Sequence, residues 1–369
     1  MHKFYTSKYD ASVYLQQPTQ NAGRDPILEI GKIYYGELRD VYRTLIKFDI
    51  TNLSASIASG EITGDWDVYL NLKSTKSEGL PLDYTIYCNA VSESWDMGQF
   101  SKFQNMSASL NLSASVQQGV SWRYRDGVNK WQENTVGGSA VYALNVTGSA
   151  NAEGGVWYTA SEASQTFSYE PDDIRMNVTD ILNMWLNGSV VNNGFILRHG
   201  LNNEIDSLDY GVLRFYSKET GTIYEPTLEV VWDDSTFNTG SLLPVVGEAS
   251  EDFKILLTNL KSKYFKDSKV KIRVKGRDMY PAKSFGTTFA YDQSKYLPAT
   301  TYYQLEDYIT GEPYFPFGEY TKISCDSTSN YFYLDLSTLP IGRFYKLKLK
   351  IVKSGTTTLV DNNYIFEIV

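Results

Sequence analysis

Histidine and cysteine are nearly missing from these 369 residues: only His2, His199, Cys88 and Cys325 occur. A metal centre built from His and Cys therefore has almost no ligands to draw on. Two cysteines are too few for a small disulfide-built scaffold, so the expectation is two free, partly buried thiols. Nucleophilic catalysis by Ser or Cys usually needs a histidine base. His2 is terminal, His199 sits at the exit of a predicted strand, and no Gly-x-Ser-x-Gly elbow occurs. Walker and Gly-x-Gly-x-x-Gly loops are also lacking, which leaves nucleotide chemistry without support. No apolar run reaches the ~18 residues needed to span a bilayer. The polar start Met1-His2-Lys3-Phe4-Tyr5-Thr6 has no secretory apolar region. A basic arm is missing too. With a net charge of -9 the chain has no field to gather phosphates, and nucleic acid is not expected as a partner.

What the sequence has in quantity is aromatic residues: 29 Tyr, 17 Phe and 7 Trp. With Val, Ile and Thr these suit pleated, half-buried surfaces. Short alternating segments follow one another. The clearest is Trp66–Leu72, which places Trp66, Val68, Leu70 and Leu72 on one face. Further strands are predicted at 12–16, 27–31, 43–50, 85–91, 194–198, 212–216 and 227–232. One short helix is expected after Asn177-Val178-Thr179-Asp180, with apolar residues at 181, 182, 185 and 186, and Gly188 to end it. Residues 96–150 are rich in Ser, Asn, Gln and Gly and read as long loops, with 107–116 a candidate added strand. The polar stretch 233–241 marks a boundary. Beyond it, short strands near 253–259, 270–274, 320–324, 331–336, 344–352 and 364–369 suggest an Ig-like sandwich. The expected fold is all-β: a jelly-roll-like sandwich over 1–233, a linker over 234–250, and an Ig-like sandwich over 251–369.

Candidate site residues are few. Trp95, Trp122, Trp131 and Trp157 fall in the loop-rich stretch. Exposed, they could stack on sugars or anchor an interface; buried, they are simply core. Among the acidic residues, Asp96, Glu133, Asp172 and Asp173 lie in predicted loops. Nothing marks two of them as a glycosidase pair. The acidic stretches 204–209 (Glu204, Asp206, Asp209) and 233–234 could offer oxygens to Ca²⁺, or could be solvated loops. Six Asn-x-Ser/Thr sequons begin at Asn52, Asn105, Asn111, Asn145, Asn177 and Asn187, a number that Asn/Ser-rich composition gives by chance. No catalytic residue, cofactor or metal ligand is therefore assigned.

Five stretches, taken in order, resemble a known family. Asp10-Ala11-Ser12-Val13 with Pro18, Asn21, Gly23 and Leu28-Glu29-Ile30-Gly31 is similar to the opening of DNRLRE-type domains. Arg43-Thr44-Leu45-Ile46-Lys47-Phe48-Asp49-Ile50 resembles their central strand. Ser94-Trp95 and Trp131-Gln132-Glu133-Asn134-Thr135 sit where a Trp-containing stretch is expected, in altered form. Asn177-Val178-Thr179-Asp180 with Trp185 and Asn193-Gly194-Phe195 matches the helix and following strand. Pro226-Thr227-Leu228-Glu229-Val230 resembles the closing strand. The resemblance spans about 8–233 with a large insertion. It implies a jelly-roll-like binding or stalk module. After the boundary, Lys271-Ile272-Arg273-Val274, Arg277-Asp278-Met279-Tyr280-Pro281, Leu297-Pro298, Tyr302-Tyr303, Thr321-Lys322-Ile323-Ser324 and Asn330-Tyr331-Phe332 look similar to C-terminal modules of tailed-phage structural proteins. That resemblance implies a virion component of the neck, collar, tail or fibre, released by lysis. Its partners would be copies of itself and other virion proteins. The alternative is a module that binds a host-surface glycan or receptor, and an enzyme is the third reading.

Overall fold

The computed structural model describes residues 1–102, 118–131, 141–143, 153–168, 173–246, 252–280 and 294–369. The chain is all-β and divides into two compact units. One, here the N-terminal unit, comprises Phe4–Ala58 and Asp67–Glu229; the other, the C-terminal unit, comprises Met1–Lys3, Ser59–Trp66 and Val230–Val369.

In chain order the first elements are β1 (His2–Tyr14), β2 (Ile27–Tyr35), β3 (Leu38–Phe48), α1 (Thr51–Ala58), β4 (Trp66–Leu72), β5 (Asp83–Val91), β6 (Val141–Ala143), β7 (Val156–Ser168), β8 (Ile174–Asn177), α2 (Thr179–Leu186), β9 (Phe195–His199), α3 (Leu201–Ile205), β10 (Gly211–Tyr216) and β11 (Thr227–Trp232). They form one eleven-stranded sheet in the order β6-β7-β5-β9-β3-β1-β11-β4-β8, with β2 beside β3 and β10 beside β2. The register β3–β9–β5 sets two faces. Ile46, Phe48, Phe195, Leu197, Ile86 and Cys88 occupy one, where Phe48 and Trp185 both pack on Phe195. Arg43, Leu45, Ile196, Arg198, Tyr87 and Asn89 occupy the other. Burial on both faces explains why β9 is buried throughout.

The helices follow local chemistry. Asp49 Oδ1 accepts from the Thr51 N–H and hydroxyl and opens α1. Asn177 does the same for Thr179 at α2, and the Thr179 hydroxyl accepts from the Val68 N–H. Gly188 follows α2 in the left-handed region, with φ +74°.

The C-terminal unit contains β12 (Phe253–Leu257), β13 (Lys263–Tyr264), β14 (Lys269–Asp278), β15 (Thr301–Asp307), β16 (Pro313–Phe315), β17 (Ser324–Cys325), β18 (Asn330–Asp335), β19 (Phe344–Lys353) and β20 (Thr356–Ile368). A four-stranded sheet, β12-β14-β18-β17, faces a five-stranded one, β13-β20-β19-β15-β16. Tyr303 of β15 stacks on Phe332 of β18 at 4.3 Å, and the Tyr364 hydroxyl on β20 donates to the Ile255 carbonyl on β12. Alternation is regular: Ile272 and Val274 point inward while Lys271 and Arg273 lie over Tyr331 outside.

Residues 234–246, expected as linker, are part of this unit. Phe237 bridges to Cys325 and Pro244 to Tyr296, and Val245 is buried. Bridges of this kind tie the polar segment to the sheets, which its composition does not reveal. The candidate strand 107–116 lies outside the described residues.

Candidate interaction surface

The surface is built from a buried network on the second face of the N-terminal sheet. Arg43 is fully buried with Glu204: Nε donates to Oε1 at 3.1 Å, and Nη2 to Oε2 at 2.6 Å. A bidentate pair of this kind fixes geometry as well as charge. The third arm, Nη1, donates to the Gly154 carbonyl at 2.7 Å. The guanidinium lies between two indoles, 4.7 Å from Trp122 and 5.1 Å from Trp157. Arg198, directly across the ladder from Arg43, covers the Trp157 ring at 4.7 Å and reaches Tyr87 at 5.5 Å. Cations and rings therefore alternate as Trp122, Arg43, Trp157, Arg198 and Tyr87. Asn89 and Glu162 accept from Arg198 Nη2.

Gly154 admits no side chain. Its φ is +80°, and a Cβ would stand 2.7 Å from the Trp122 ring. The Gly154 N–H donates to the Trp122 carbonyl at 2.6 Å, which ties the returning end of the long excursion to its middle.

Trp95, Trp122, Trp131 and Trp157 are all buried, in one cluster with Leu45, Val91, Met97, Val120, Val156 and Ile196. The Trp95 Nε1 donates to the Asn193 carbonyl, and the Trp131 Nε1 to the Ser121 carbonyl. The expectation that these four indoles line an exposed binding or interface platform is therefore corrected: protein groups cover them. The arginines that cover Trp122 and Trp157 lie on strands distant in sequence, which composition around the rings does not reveal.

The acidic stretch 204–209, open in the sequence between a Ca²⁺-binding and a solvated loop, has its carboxylates paired within the protein. Its cations come from the chain itself. Glu204 takes Arg43, and Asp206 takes the buried ammonium of Lys32, which also donates to the carbonyls of Asn203 (2.6 Å) and Asp206 (2.7 Å). Burial pushes the Asp206 carboxyl up. Hydrogen bonds from Lys32, the Leu208 N–H and the Tyr210 hydroxyl outweigh that and hold it below its ordinary range. Asp209 accepts from the Gly211 N–H. At 233–234, Asp233 accepts from the Ser235 N–H. Among the described residues, no group of three or more His, Cys, Asp or Glu could hold a metal ion.

The other singled-out residues are accounted for locally. His199 ends β9 and is fully buried between Tyr84 and Tyr210, at 6.1 and 5.4 Å. Burial, then the nearby Lys32 ammonium, push its imidazole down to about 4. Asp96 accepts from the Gly98 N–H, and Asp173 pairs with Lys73. Glu133 and Asp172 lie outside the described residues. Cys88 and Cys325 are both buried and free, and burial pushes the Cys325 thiol up to about 11.

These anchors present something outward. The turn Gly36-Glu37 joins β2 to β3 and carries Tyr35, 83% exposed, beside an exposed Leu38. Arg39 next to them donates to the Ile205 carbonyl. Ile205 and Leu208 are exposed on the loop that Lys32 and Arg43 pin from below. Tyr35 and Leu38 are paired and exposed at the β2–β3 hairpin end, Ile205 and Leu208 are exposed on the 201–210 loop, and Glu37 and Asp209 are exposed in the same two segments. Sequence reasoning missed these side chains, because exposure of an isolated Leu or Tyr carries no local signal.

No family model matches the chain, and no curated protein matches it. Among solved structures, one similar chain is a DUF4785 family protein from Legionella pneumophila subsp. pneumophila str. Philadelphia 1. It is 9% identical, with a TM-score of 0.17. The match covers 100% of this chain and 61% of that one, so this chain spans about three fifths of its length.

Proposed function

We propose that this protein is a structural subunit that works by assembly, as a component of a phage virion such as a neck, collar, tail or fibre. The observation that carries the assembly reading is the exposed Ile205 and Leu208 on a loop held rigid by two buried cations, with exposed Tyr35 and Leu38 on the β2–β3 hairpin. A rigid loop loses little conformational entropy on docking. Glu37 and Asp209 are exposed in these segments, which suits a neighbouring subunit with basic side chains beside an apolar pocket. The virion assignment rests on the resemblances of 8–233 and of the C-terminal strands.

Immunogold labelling of particles purified from a lysate tests the reading. Gold at one fixed position on each particle supports it, and Leu208→Asp should reduce incorporation while leaving the fold intact. Particles without label, from a lysate rich in the protein, would refute it.

A further inference from the structure

A second exposed apolar group lies in the C-terminal unit, and topology places its members side by side. β13 runs parallel to β20, β19 antiparallel to β20, and β15 antiparallel to β19. The C-terminal ends of β13, β20 and β15 therefore meet the start of β19 at one edge of the sheet. Backbone bonds fix the contacts there. The Lys266 N–H donates to the Val369 carbonyl, Gly342 to Ile368, and Tyr308 to Phe344. Four adjacent strand ends span about 15 Å. Along them stand Phe265 (77% exposed), Ile309 (75%), and the exposed Tyr308, Ile341 and Phe344.

We infer that this edge is a two-fold contact between two copies of this chain. Three features favour a second copy. The five side chains expose about 500–600 Å², so two copies would remove about 1,000–1,200 Å², the size at which a specific interface begins. The rim carries both signs: Lys266, Asp267 and Glu312 are exposed, and Arg343 pairs with Asp307. A surface that meets its own image needs both signs, because a rim of one sign repels itself. The unit as a whole is neutral, with 18 Lys+Arg and 18 Asp+Glu. The N-terminal unit has 16 against 25, so pairing there would set like charges together. This inference stands apart from the virion reading and uses a different surface.

Light scattering on the whole chain between about 1 and 100 μM tests it. The expected mass rises with concentration from 41.8 kDa to twice that value and stops there. Ile341→Lys and Ile309→Ser should each weaken association by about tenfold or more. Leu359→Ser, exposed at the far end of β20, should leave it unchanged. Unfolding curves of all three should match the parent. A single-chain mass across the range, a higher oligomer, or dimers indifferent to both edge substitutions would each overturn the inference. None of these outcomes depends on whether the protein is found in particles.

Discussion

Removing the cation of the buried pair should destabilise the N-terminal unit far more than removing both partners together. Arg43→Met leaves the Glu204 carboxylate in a site where both side chains are 0% exposed. An uncompensated buried charge of this kind costs about 3–5 kcal/mol. The Gly154 carbonyl also loses its donor, and the ring stack loses its central cation. Urea unfolding followed by tryptophan fluorescence reads the right unit, because Trp95, Trp122, Trp131, Trp157 and Trp185 all belong to it. With a slope of about 2 kcal/mol per molar urea, the midpoint should fall by about 1.5–2.5 M. Arg43→Met combined with Glu204→Leu removes the stranded charge, and apolar replacement of a whole buried pair is often neutral. The double variant should therefore recover most of the loss. If Arg43→Met costs less than about 1 kcal/mol, or the double variant is no better than the single, the pair is not what pins the 201–210 loop.

Three further outcomes follow from the same geometry. His199 titrates at 6.5 in an open chain and at about 4 when folded, so the unfolded chain binds more protons between those values. Stability is full above about pH 6.5 and is lost as pH falls through 4, by about 3 kcal/mol; His199→Phe should remove that slope in acid unfolding curves. Asp10 is opposite in sign. Burial raises its carboxyl from 3.8 to about 7, so its contribution is full below 3.8 and is lost as pH rises through 7. Asp10→Asn keeps an acceptor for the Lys218 N–H and should gain up to about 4 kcal/mol at pH 8 but almost nothing at pH 3.5. Gly154→Ala should cost about 2 kcal/mol or more and flatten the near-ultraviolet dichroism of the Trp122 stack.

The position of many strands is legible where the periodicity is clean. Trp66–Leu72 is β4 to the residue, and the helix after Asn177 forms with Asn177 at its opening. Elements were missed where local chemistry pointed elsewhere. β1 begins at His2, although Lys3, Thr6, Ser7 and Lys8 read as a polar terminus. α1 is not predicted: the strand expected at 43–50 stops short of it, and with only Leu53 and Ser56 buried its apolar periodicity is too weak to mark a helix. Trp122 lies outside the named strands, as its loop-like surroundings suggest, but Trp157 is on β7, a strand that the sequence reading lacks; Arg43 and Glu204 are 161 residues apart and no window joins them. The acidic stretch resembled a cation site for a sound reason: its carboxylates do meet cations, and these are the side chains of Lys32 and Arg43.

The assembly claim is tested most directly by locating the protein on purified particles with immunogold labelling, comparing the parent with Leu208→Asp. The account predicts label at one fixed position for the parent and a marked loss of label for the variant, with both proteins equally folded. Label absent from parent particles, or undiminished in the variant, would contradict it.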